Sequence, residues 1–88
     1  MSELTNLPNL GKVVAEQLQR AGIEAPEALR RLGSVEAAVR LTEAGVDVCT
    51  SKLSALEGAI RGIRWHGIPQ EERRRLWSAF QARIADRA

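Results

Sequence analysis

Apolar residues along this chain recur at the three-and-four spacing of a helix and do not alternate as in a strand. Wound at 100° per residue, Leu10, Val14, Leu18 and Ala21 fall within about 80° of one another. Lys12, Glu16, Gln19 and Arg20 take the opposite face, with Glu16 and Arg20 spaced for an i,i+4 pair. A first helix is therefore expected just after Gly11. A second, short one should begin near Pro26, a favoured first-turn residue, and carry Leu29 and Leu32 inward. Ser34 reads as the N-cap of a third, whose stripe is Val35, Ala38, Val39 and Thr42. Thr50 or Ser51 can cap a fourth, with Leu53, Leu56, Ile60 and Ile63 on one face. Pro69 opens the last, where Leu76, Trp77, Phe80 and Ile84 span an arc of about 100°. No alternating Val/Ile/Thr/aromatic run is present, so the expected class is all-α, a compact five-helix domain.

The segment Leu18-Gln-Arg-Ala-Gly-Ile23 recurs as Leu41-Thr-Glu-Ala-Gly-Val46. Helix-ending chemistry accounts for the echo better than a duplicated unit does. Gly22 and Gly45 would take the left-handed position after each helix, and Ile23 and Val46 would fold back onto Leu18 and Leu41. Gly33 and Gly62 read as two further stops, with connections of two to eight residues.

Length and charge narrow the reading. Eighty-eight residues make one small domain. No run approaches the roughly 20 apolar residues of a membrane span, and no basic-then-apolar leader is seen, so a cytoplasmic, membrane-free protein is expected. Net charge is +2 but uneven. Residues 1–48 carry five Lys/Arg against seven Asp/Glu, whereas residues 49–88 carry eight against four. A basic second half is compatible with nucleic acid, though far from the dense stripe of a committed binder. Eleven of the thirteen cations are arginine and alanine is abundant, which loosely suggests a GC-rich bacterial genome. The run Arg73-Arg74-Arg75 does not make a stripe once wound on a helix. Arg73 shares an arc with Trp77, Arg74 and Arg75 point away on opposite sides, and Glu71 precedes Arg75 by four. Trp77 and Phe80 have core spacing, and Trp65 is expected to close the preceding loop over the last helix, so no base-stacking platform is expected.

Enzymatic constellations are missing. One His and one Cys cannot make an all-protein zinc site or a disulfide, and HExxH, CxxC, EF-hand, Walker A and strand-borne GxGxxG patterns are absent. The expectation is a non-enzyme with no cofactor, no metal and no small-molecule substrate. Cys49 reads as a small core hydrophobe, with a helix-terminal thiolate as the alternative. His66, in a linker without a second ligand or base, reads as a plain loop residue.

The stretch Leu-Pro-Asn-Leu-Gly-Lys, Leu7 to Lys12, is the part with chemical promise. A tight turn there feeds a helix whose first amides lack carbonyl partners and whose dipole favours an anion. Gly11 allows close approach and Lys12 adds a positive charge. The stretch resembles the helix-hairpin-helix motif, in which a Leu-Pro-Gly-apolar-Gly turn opens the second helix; Pro8, Leu10, Gly11, Ala15, Glu16 and Leu18 fit it. Asn9 stands where the motif has its first glycine. Asn tolerates left-handed backbone, so the turn should persist, with the side chain taking up space at the face a phosphate would approach.

The order of features also resembles the C-terminal domain of the TfoX/Sxy competence-regulator family. The linked elements are Leu7-Pro-Asn-Leu-Gly11, Leu32-Gly-Ser-Val-Glu-Ala37, Ala55-Leu-Glu-Gly-Ala59 and the Trp65, Pro69, Glu72-Arg73 series. The likeness covers 1–88 as a single domain, strongest over 7–76, with 77–88 the end of the last helix and a tail. It implies a SAM-like, paired helix-hairpin-helix architecture and a bacterial role in competence and transcription regulation, beside the cyclic-AMP receptor protein. Larger relatives carry an N-terminal α/β domain; with Met1 just ahead of the motif, that domain is expected to be absent here. Two functions are in view. One is weak, sequence-independent contact with duplex DNA phosphates through Pro8, Asn9, Leu10, Gly11 and Lys12, with Arg61, Arg64 and Arg74 as auxiliaries. The other is a protein-interaction module with a regulatory partner and no direct DNA contact.

Overall fold

The computed structural model describes residues 3–86, and among these no strand is formed. Five helices follow one another: α1 (Lys12–Arg20), α2 (Pro26–Leu32), α3 (Ser34–Glu43), α4 (Thr50–Arg61) and α5 (Gln70–Asp86). Two short 3-10 segments complete the chain, Glu3–Asn6 ahead of α1 and Trp65–Gly67 between α4 and α5.

Helix α3 is the centre, packed against each of the other four. Its first two turns are rich in alanine, and Ala37 and Ala38 are fully buried, which lets neighbouring backbones come close. Leu41 of the same helix and, around it, Leu18, Ile23, Leu29, Leu53 and Leu56 lose all contact with solvent. Helix α5 is held more lightly. Only Phe80 is buried along it, while Leu76, Trp77 and Ile84 are partly covered. Two ion pairs tie its ends to the core helices, Arg83 to Glu36 of α3 at 2.6 Å and Glu72 to Arg61 of α4 at 2.8 Å.

Three helices end in the same way. After α1, Ile23 N–H donates to Leu18 O and Gly22 N–H to Gln19 O, with Gly22 at φ +87°. After α3, Val46 N–H reaches Leu41 O and Gly45 N–H reaches Thr42 O. After α4, Ile63 N–H donates to Gly58 O and Gly62 N–H to Ala59 O. These are Schellman motifs, and the first two bury their apolar residue as expected. The third does not: α4 stops at Arg61, so Ile63 leaves the helical stripe and remains 39% exposed.

Several local expectations need correction. Ser34 is not the cap of α3 but its first residue; Gly33 caps it, and is also the C-cap of α2, so that connection is one residue long. The Ser34 hydroxyl is buried and donates to Glu57 Oε1 at 2.6 Å instead. Cys49 is exposed and outside the core: it caps α4, its sulfur accepting from Lys52 N–H. The Glu16–Arg20 and Glu71–Arg75 pairs do not form; among the described residues the i,i+4 pairs that do are Glu36–Arg40 and Glu57–Arg61.

Candidate nucleic-acid interface at the Pro8–Lys12 turn

Leu4 and Leu10, both buried, pin the chain on either side of the turn to the core. Between them Leu7 N–H donates to Leu4 O, closing the 3-10 segment, and Asn9 reverses the chain at φ +71°. It is the sole non-glycine residue with positive φ among those described. Gly11 follows as the N-cap of α1 in extended backbone, and its carbonyl accepts the first helical bond, from Ala15 N–H. Among the described residues no side-chain hydrogen bond caps this end. The amides of the first turn, at Lys12, Val13 and Val14, therefore open beside the exposed Gly11 and Lys12.

Glycine is common at an N-cap, but neither strain nor crowding requires it at position 11. Its φ of −90° suits any residue, and a Cβ there would meet no atom within 4 Å. The contrast is Gly58, inside α4, where a Cβ would fall 2.5 Å from Asn9 Nδ2 and 2.7 Å from Ile63 O. Gly58 is the residue that sequence reasoning missed. The signal was available, because a glycine in a helix interior gives up about 1 kcal/mol against alanine and so marks a close approach.

What approaches Gly58 is the Asn9 carboxamide, which turns inward. Its Nδ2 donates to Ile63 O at 2.8 Å and makes a longer contact with Ala55 O at 3.4 Å. Its Oδ1 accepts from Trp65 N–H at 3.1 Å. The expected crowding of the outer face by this side chain is thus corrected: the carboxamide is spent on the protein, and the outer face of the turn stays clear.

The remaining candidates divide. Arg64 is exposed and lies between the two residues that Asn9 grips, so it is brought to the turn. Arg61 is at the end of α4 but engaged, with Glu57 at 2.7 Å and Glu72 at 2.8 Å. Those carboxylates, Glu57 first, hold its guanidinium above its ordinary pKa, and they cancel its charge locally. Arg74 is exposed on α5. Leu10 is buried and can offer only backbone. Pro8 is half-buried and shapes the turn.

Beyond the turn, Arg73 donates from Nε to Ile68 O and lies 5.3 Å from the Trp65 ring centre. His66 stacks on the same indole at 3.9 Å. Trp65 therefore does close the loop against α5, as its place in the sequence suggested, and its ring is occupied by neighbours within the chain.

A family model described as the TfoX C-terminal domain matches residues 1–80. The crystal structure of an uncharacterized protein from Listeria monocytogenes, in a triclinic form, superposes with a TM-score of 0.83 at 46% identity, covering 90% of each chain. A tetragonal form of a Listeria monocytogenes protein of unknown function gives 0.82 at 45% identity, covering 89% of this chain and 96% of that one. No curated protein matches.

Proposed function

The chain belongs to the TfoX C-terminal domain family, and on that premise we propose that it is a non-enzymatic regulatory domain that contacts duplex DNA through phosphates at the Pro8–Lys12 turn. The observation that carries this reading is Gly11. Neither backbone conformation nor packing inside the chain calls for glycine there, whereas close approach by an outside group does. The group would meet uncapped helix amides, the positive end of a helix dipole and the Lys12 ammonium, a combination suited to an anion. Phosphates are contacted without reference to base sequence, which matches the lack of a base-stacking or base-reading feature among the described residues.

With Lys12 and Arg64 as the cations at hand, few counterions are released and binding is weak. Affinity for a fluorescein-labelled duplex, followed by anisotropy, should fall with salt at a log–log slope of about −2. Lys12→Glu should abolish it. Absence of binding at about 50 mM salt, or binding indifferent to salt, would overturn the reading.

A second reading, docking of a regulatory protein, is favoured by one observation. Val13, in the same first turn, is 67% exposed, the most exposed large apolar side chain described. Under that reading Val13→Ser releases a captured partner, while Lys12→Glu leaves it bound and duplex retention is nil.

A further inference from the structure

The third Schellman motif departs from its two counterparts in a way that concerns the turn. Ile23 and Val46 secure the chain after α1 and α3 by folding into the core. Ile63 makes no such anchor, and the chain after α4 is fixed by Asn9 instead, which holds Ile63 O from one side of Arg64 and Trp65 N–H from the other. Asn9 accepts a left-handed backbone to do so, and Gly58 gives up a side chain to admit it. Both halves of the carboxamide are used, so the link cannot slide along α4 without losing a bond at each end. Arg64, delivered in this way, has no ion pair among the described residues, unlike Arg61 three positions earlier.

We propose that Asn9 is a positioning residue that joins the Gly62–Trp65 link to the Pro8–Lys12 turn as one contact surface, with Arg64 the side chain it sets in place for a second phosphate. The inference rests on the phosphate reading for what the surface touches. It adds that the surface has two parts, far apart in sequence, and that one carboxamide aligns them.

The test is a double-mutant cycle on the whole chain with labelled duplex DNA. Arg64→Gln should lower the salt slope by about 1 in the wild-type background. In Asn9→Gly, which keeps left-handed freedom but removes the carboxamide, the same change should have little further effect. Gly58→Ala, which presses on the link from the opposite side, should likewise erase the contribution of Arg64. Independently of DNA, amide exchange at Trp65 should quicken in Asn9→Gly while Ile23 and Val46 keep their protection. Duplex binding in which the Asn9 and Arg64 effects simply add, or unchanged exchange at Trp65, overturns this inference and leaves the phosphate reading standing. A wild-type chain that binds no duplex overturns both.

Discussion

Asn9 and Gly58, forty-nine positions apart, are fitted to each other: no side chain larger than hydrogen can stand at residue 58 while the Asn9 carboxamide reaches Ile63 and Ala55. Replacing a helix-interior glycine with alanine ordinarily stabilises by about 1 kcal/mol. Here the sign should reverse. Two of the obstructing atoms are the Ile63 carbonyl and the Trp65 Cα, which yield only if the backbone moves. Gly58→Ala should therefore cost about 1–3 kcal/mol, measured as a lower urea midpoint. Stabilisation would mean that the link has room to spare.

Gly11→Ser separates folding from binding. A serine at this N-cap can satisfy an amide of the first turn, so stability should hold or rise by a few tenths of a kcal/mol. The same hydroxyl would occupy the place proposed for phosphate. The expected outcome is an unchanged or higher melting temperature together with weakened duplex binding. A variant that binds as well as the wild type would place the contact elsewhere.

The two classes of helix ending make opposite forecasts. Ile23 is fully buried, and Ile23→Ala should cost about 2–5 kcal/mol, enough to threaten a domain of this size. Ile63→Ala, at the corresponding place after α4, should cost less than about 1 kcal/mol, because its side chain remains partly in water. Paired thermal unfolding of the two variants reads the difference directly.

Glu36 supplies a pH dependence. The Arg83 guanidinium beside it, aided by Arg40, holds its carboxyl below the ordinary value, against a smaller opposing effect of burial. A depressed folded pKa means that the group contributes stability above its unfolded value, near 4.5, and that this is lost as pH falls through the lower folded value. Both cations sit largely at the surface, so the effect is modest. Arg83→Gln should lower the melting temperature at neutral pH, and the gap to wild type should close in acid. A gap independent of pH would assign the loss to packing.

Cys49→Ser should be tolerated. The thiol caps α4 through a 3.4 Å contact with Lys52 N–H, and a hydroxyl performs that task at least as well. Equal or higher stability by thermal unfolding is expected, whereas a loss of about 2 kcal/mol would indicate that the sulfur is packed as a core residue.

Much of the architecture was legible because it depends on neighbours in sequence. Apolar spacing gave the five helices, and the glycines at 22, 33, 45 and 62 all take positive φ where the helices stop. The errors come from long-range partners that local rules do not see and, at Ile63, from letting the apolar stripe run past the Gly62 stop. Ser34 looked like a cap until Glu57, twenty-three residues away, claimed its hydroxyl. Ile63 fitted the stripe of α4 until Gly62 ended the helix early. The turn itself was visible as Leu7-Pro-Asn-Leu-Gly11, and so was the left-handed tolerance of Asn9. The direction of its side chain was not, since that is decided by the Ala55, Ile63 and Trp65 backbone. Arg61 illustrates the same limit in part: Glu57 stands at i,i+4 spacing on the same helix, whereas its second partner, Glu72, comes from another helix.

Gly33, which ends α2 and starts α3 at φ +83° and ψ +164°, leaves no slack between the two. An inserted residue there would shift α2 relative to α3 and draw Leu29 from its fully buried place. Length variants of this domain should thus accept extra residues at the longer Ala44–Cys49 crossing and reject them at this joint.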